Sequence, residues 1–246
     1  MKKLIFTIQF LLLVTVIAAQ KLPIMNYTIN VTQNTDTFMV TLSLDKKLSK
    51  TATIFQFAST APGTYQTMNI GRLVSNFRAL DKKGKELTVT KKSVNQFEIK
   101  TPNKVSKVTY RVAETFDTTL EEYPIYPMAG SSIERDHALI NSHTVLGYFT
   151  GYQKSPIRLK LERPTEWAIG TALNKDGDIF VADDFDHAVD SPILAGNLSF
   201  SDTTVASTKV EIFAYSQSGK IESSVMLANM SDMLDATRKY LINLPV

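Results

Sequence analysis

The sequence predicts an all-β domain, an antiparallel β-sandwich that is either closed or open and curved, followed by one C-terminal amphipathic helix. Three observations carry this. Apolar residues alternate with polar ones at a period of two from Tyr27 to Ala214, turn-forming residues punctuate the runs, and near Lys220 the period changes to three and four.

Tyr27, Ile29 and Val31 form the first alternating set, and Phe38, Val40, Leu42 and Leu44 the second. Val108, Tyr110 and Val112 repeat the pattern, as do Ile157, Leu159 and Leu161. Successive strand side chains point to opposite faces, so each set predicts a half-buried strand. Asp45-Lys46-Lys47, Asp81-Lys82-Lys83-Gly84-Lys85, Thr101-Pro102-Asn103-Lys104 and Asp176-Gly177 supply the turns between strands. The 27 threonines add β-branched content. The stretch Tyr123 to Ser132 carries Pro124, Pro127 and Gly130 and keeps no period, which predicts an excursion loop.

From about Glu222 to Ile242, Met226, Met230, Met233, Leu234, Thr237 and Leu241 recur at helical spacing, with Asp232, Asp235, Arg238 and Lys239 opposite and Pro245 closing the run. Such a stripe is usually a core face. Here it has no later segment to pack on, so the helix is expected to open a further, missing domain and to self-associate when uncovered.

The first twenty residues follow the secretory plan: Lys2-Lys3, an apolar run from Leu4 to Ile17, then Ala18-Ala19 before Gln20. Residues 1–19 are therefore expected to be a signal peptide and the product periplasmic or secreted, with no stable membrane anchor. Cysteine is absent, so neither disulfides nor lipid attachment at cysteine is available. About 227 residues remain, enough to bury a core without covalent staples. Without Lys2 and Lys3 the 27 basic residues fall to 25, against 24 acidic ones, and the basic residues are scattered, which argues against a nucleic-acid partner.

Metal and nucleophile motifs are missing. Hydrolytic zinc on a helix needs H-E-x-x-H, and the chain has only His137, His143 and His187. On one unbroken strand His137 and His143 would stand about 20 Å apart, too far for one ion. The acids Asp176, Asp178, Asp183, Asp184, Asp186 and Asp190 invite a calcium loop, but aligning Gly177 with its glycine puts Ala172 at the first ligand position, which leaves a hairpin turn at Asp176-Gly177 as the better reading and an irregular calcium site as the alternative. No G-x-S-x-G frames a serine. Sequons at Asn26, Asn30, Asn197 and Asn229 are expected by chance in a Thr- and Ser-rich chain. No catalytic or metal-binding residue is assigned.

Two stretches are more specific than strand chemistry demands. One runs Ala61-Pro62-Gly63-Thr64-Tyr65, then Asn69-Ile70-Gly71-Arg72-Leu73-Val74. The other runs Pro164-Thr165-Glu166-Trp167 to Leu173, then Asp186-His187-Ala188-Val189-Asp190-Ser191-Pro192-Ile193. In order and spacing they resemble the N-terminal β-domain of the glycyl aminopeptidase family of zinc metallopeptidases, over nearly all the chain from Tyr27 onward. Thr64 departs from the family's commoner serine, and Ser59-Thr60-Ala61 lacks its usual leading aromatic.

The resemblance implies a β-domain spanning 20–218, with 219–246 opening a thermolysin-like catalytic domain that would hold the zinc. The partner is then the catalytic domain of the parent chain, and the parent's substrates are peptides with a small N-terminal residue. The β-domain would shape or cover the peptide cleft without catalysing. The rival reading is a stand-alone exported module binding peptide or glycan through the Tyr123–Ser132 loop; a decoy or inhibitor is a third. Physically, Pro62 and Gly63 set a turn that delivers Tyr65 to a neighbouring surface. Trp167 is a core anchor, and Asp190-Ser191-Pro192 ends a segment through a side-chain bond to a backbone N–H and the missing N–H of Pro192.

Overall fold

The computed structural model describes residues 22–33, 35–61, 63–120 and 122–241. The signal-peptide segment 1–19 and Pro62 lie outside the described residues.

The four alternating sets become the centre of a seven-stranded sheet. They are β1 (Met25–Asn30), β2 (Thr37–Leu44), β7 (Lys107–Ala113) and β11 (Ile157–Glu162). Strands β4 (Val74–Leu80), β13 (Asn174–Asp176) and β14 (Ile179–Ala182) complete the order β13-β14-β11-β1-β2-β7-β4. Tyr27, Ile29, Phe38, Val40, Leu42, Val108, Tyr110, Val112, Leu159 and their neighbours are buried on one face, as period two requires. One pairing departs from an all-antiparallel sheet: β1 runs parallel to β11, with Tyr27 opposite Leu159 and Asn30 opposite Glu162. Parallel neighbours need a long crossover, and here the whole middle of the domain supplies it.

A second sheet, ordered β10-β3-β6-β5, consists of β3 (Ile54–Gln56), β5 (Val89–Lys91), β6 (Gln96–Ile99) and β10 (Tyr148–Phe149). It closes over the first through aromatic rings. Phe97 stacks on Phe77 with centroids 4.3 Å apart, and Phe57 meets Tyr110 edge-on at 5.0 Å. Gly147 is placed against these rings: a Cβ there would collide with Phe55 and come within 2.9 Å of Phe57. The hydroxyls of Tyr27 and Tyr110 reach the same bend, Tyr27 donating to Gly147 O at 2.6 Å and Tyr110 accepting from Gly147 N at 3.1 Å. Burial holds both phenols well above the usual tyrosine range.

The third sheet, β12-β15-β9-β8, is built from β8 (Ser132–Ile133), β9 (His137–Ile140), β12 (Ala168–Thr171) and β15 (Ile193–Gly196). Two short helices, α1 (Ser142–Val145) and α2 (Phe185–Val189), sit between strands. The result is an open stack of sheets, the open alternative of the two the sequence allows. The turns fall where their residues predict: Gly84 and Gly177 adopt φ of 79° and 62°, and the Asp81 carboxylate accepts from Lys83 N and Lys85 N.

Beyond Gly196 a separate hairpin, β16 (Ser199–Val205) with β17 (Thr208–Ala214), carries the final helix α3 (Ser223–Leu241) on its surface. Phe213 of the hairpin presses on Gly170, where a Cβ would come within 2.5 Å of its ring. The helix falls within the predicted limits, but its stripe divides. Leu227, Met230, Leu234 and Thr237 are half-buried, while Val225, Met226, Met233 and Leu241 stay exposed, Met233 at 55%. The two-stranded hairpin is too narrow to cover the whole stripe.

Candidate functional site

Two loops from different parts of the chain form one exposed face. From the first, Tyr65 stands fully exposed at φ 51°; from the second, Tyr123 stands 57% exposed at φ 53°. Left-handed backbone costs an ordinary L-residue roughly 1–2 kcal/mol, and bulky side chains rarely adopt it. Such strain persists only where surrounding contacts impose it.

Those contacts are present for the second loop. The Arg72 guanidinium donates through Nη1 to Glu122 O and through Nη2 to Tyr123 O. Gln66 donates its side-chain amide to Pro124 O and accepts from Tyr126 N. The first loop thus grips the second from both ends of a five-residue span, Glu122 to Tyr126. Ile125 and Ala129 are buried beneath it, leaving Tyr126 and Met128 outward, with Phe116 also exposed.

The root of the face is a buried polar network. The Glu114 carboxylate accepts from the N–H groups of Phe116, Asp117 and Thr118 at 2.7, 2.6 and 2.8 Å. Thr115 and Ser131 exchange hydrogen bonds, and Asn141 donates to Gly130 O. His143, on α1, bonds Ala129 O through Nε2 at 3.0 Å. Burial lowers its pKa below the ordinary 6.5, so the ring is neutral and Nε2–H is the donor. These bonds tie the base of the second loop to the sheets beneath it.

The residues singled out in the sequence meet different fates. Gly63 takes φ 79° with open space around a would-be Cβ. Tyr65 is not delivered to a neighbouring surface: its backbone turns it into solvent, a correction to the expected packing. Trp167 is a core residue at 4% exposure. Asp190 caps α2, and its N–H bonds Asp186 O. Ser191 does not bond a backbone N–H as expected; buried at the end of α2, it donates its hydroxyl to His187 O at 3.0 Å, and Pro192 then leads into β15.

His137 opens β9, which ends at Ile140, and His143 lies on a helix, so no strand joins them. The acids near Asp184 are used in pairing: Lys154 bridges Asp184 and Asp186 at 2.9 and 2.8 Å, Arg158 meets Asp176, and Asp184 caps α2 by accepting from His187 N. No group of three potential metal ligands converges among the described residues. The histidine surroundings also do not fit a zinc centre: His143 is committed to a carbonyl, His137 lies against Tyr215, and His187 Nδ1 accepts from Asp183 N at 3.3 Å.

Sequence reasoning missed Gln66, Arg72 and Glu114. Arg72 lies inside the Asn69-to-Val74 motif, so a cation within a conspicuous turn was a usable signal. Glu114 follows the last alternating residue of β7, where a carboxylate can collect the free N–H groups of the turn ahead.

An open stack of β-sheets carrying exposed aromatic residues on two joined loops defines a β-rich domain. The chain belongs to the Peptidase M61 N-terminal domain family, whose model matches residues 26–197. Among solved structures, an aminopeptidase N family protein from Idiomarina loihiensis superposes with a TM-score of 0.77 at 18% identity, which shows the shared fold. That match covers 90% of this chain and 37% of the other, so this chain spans just over a third of that protein's length. No match was found among curated proteins.

Proposed function

We propose that this chain is the non-catalytic N-terminal part of an exported zinc aminopeptidase resembling glycyl aminopeptidase. The family match over residues 26–197 carries the reading. In it, the tyrosine face borders the peptide cleft of a thermolysin-like domain, and that domain holds the zinc and removes small N-terminal residues. When bound there, zinc supplies an activated water for attack on the peptide bond. The residues of this chain position peptide and exclude water. Rigid aromatic rings suit that task, since they offer large contact area with few rotors to freeze.

In the same reading, α3 opens the catalytic part, and residues 1–19 direct the protein to the periplasm or outside the cell. The partner is the rest of the parent polypeptide. The decisive experiment has two arms. Residues 20–246 with added zinc should leave glycyl and alanyl peptide substrates uncut, and metal-dependent turnover would overturn the reading. The reading frame continued past Val246 should encode H-E-x-x-H. In that longer enzyme, Tyr65→Ala with Tyr123→Ala should raise KM with little change in kcat.

The exposure of Tyr123, Tyr126 and Met128 also favours a second reading, a stand-alone module that binds peptide or glycan by this loop. A stop codon directly after Val246 together with saturable peptide or glycan binding would select it.

A further inference from the structure

A groove of about 500 Å³, lined by no tyrosine, lies between the end of β11 and the β13–β14 hairpin. Its origin is in the ladder. Strands β11 and β14 pair from Ile157↔Ala182 to Leu159↔Phe180 and no further, so residues 160–163 diverge from the turn at Asp178. Lys160, Arg163 and Lys175 all line the opening.

None of these three cations has an ion-pair partner among the described residues. The other charged groups lining the groove are Glu162 and Asp178. Glu162 is engaged, accepting from Asn30 Nδ2 at 2.7 Å, and Asp178 stands exposed on the hairpin turn. Lys175 lies over the Phe180 ring at 5.9 Å, which holds its stem against the wall. Arg163 is the most telling. Its Nη1 donates to Pro164 O at 3.0 Å, yet its Nε is buried with no hydrogen-bond partner. A buried donor on a cation loses its hydration without compensation, which favours turning the guanidinium towards an oxyanion held in the groove. The guanidinium fork matches carboxylate and phosphate oxygens, and Thr165, whose hydroxyl donates to Glu166 Oε2 at 3.5 Å, lies on the same wall.

We propose that this groove is an anion site for a carboxylate or phosphate group, with Arg163 as the primary ligand and Lys160 and Lys175 as flanking charges. The site is independent of the peptidase reading and survives its failure.

The test is titration of the isotope-labelled chain, residues 20–246, followed by NMR. The probes are inorganic phosphate, and a short acetylated peptide with a free C-terminal carboxylate against the same peptide amidated. The Arg163 Nε–Hε signal and the Thr165 amide should shift saturably with phosphate, with the carboxylate peptide, or with both. Which of these two acts identifies the source of the anion, and the amidated peptide should have no effect. Lys175→Gln and Lys160→Gln, both exposed and therefore tolerable, should each weaken binding about tenfold, as for loss of one charge-assisted contact. Arg163→Gln should abolish the Thr165 response. Non-saturable shifts, equal shifts with the amidated peptide, or affinities unchanged in the lysine variants would overturn the proposal.

Discussion

The ring of His137 lies nearly flat on the ring of Tyr215, centroids 3.7 Å and planes 17° apart, and one carboxylate serves both. Asp136 accepts from His137 Nδ1 and from the Tyr215 hydroxyl, each at 3.0 Å. Since Tyr215 directly follows β17 while His137 begins β9, this trio fastens the hairpin carrying α3 to the sheets before it.

Asp136 should make that fastening acid-sensitive. Its carboxyl is held below the usual value of 3.8, first by the hydrogen bond from His137 and then by that from Tyr215. A depressed carboxyl contributes above its unfolded pKa and loses that contribution as pH falls through the folded one. Hydrogen exchange of β16 and β17 should therefore accelerate below the ordinary carboxylate range, ahead of exchange in the main sheet. Asp136→Asn should show fast hairpin exchange already at neutral pH.

His143 should give a second, separate pH response. Its pKa is lowered by burial, so below 6.5 the unfolded chain takes up the proton first and stability falls as pH drops towards the folded value. Urea midpoints measured from pH 7.5 to 5 should decline, and His143→Gln should flatten that slope. A variant retaining the full slope would remove His143 as its source.

The two buried tyrosines should differ in cost. Tyr27→Phe removes one donor to Gly147 O, about 1 kcal/mol. Tyr110→Phe strands Gly147 N and releases Val145 O, and should cost about 2–3 kcal/mol in urea denaturation. Equal losses would mean that water re-enters the bend.

Replacing Tyr65 by glycine should stabilise the chain. The φ of 51° is unfavourable for tyrosine and free for glycine, and the fully exposed ring has no packing to lose, so a gain of about 1 kcal/mol is expected. Under the peptidase reading the same variant should bind peptide substrate more weakly in the longer enzyme. A destabilised Tyr65→Gly would show that the ring is packed in solution.

The uncovered part of α3 should drive association. Val225 and Met233 are 51% and 55% exposed, and the apparent mass by sedimentation should rise with concentration. Val225→Ser with Met233→Ser should hold the chain monomeric.

Strands with one buried face were legible because their period-two signal is strong: Tyr27 and Ile29 fall on β1, Val31 just past its end, and Phe38 to Leu44 on β2, with Tyr27, Ile29, Phe38, Val40 and Leu42 inward. The parallel register of β1 and β11 was not, since alternation fixes the face of a strand but not its neighbour. The loop at Tyr123 to Ser132 was legible from its prolines. Its union with the Tyr65 loop was not, because it depends on Gln66 and Arg72 reaching carbonyls 58 and 50 residues away. The Met stripe gave the helix but not its exposed half, which depends on the width of the hairpin beneath.

The parallel pairing has a temporal side. Asn30 meets Glu162 across 132 residues, so β1 lacks one flanking strand until most of the domain has left the ribosome. Native contacts so remote in sequence slow the final locking step. A nascent chain ending before Ile157 would hold β1 against β2 alone, leaving an open hydrogen-bonding edge for whatever chaperone or conduit reaches it first.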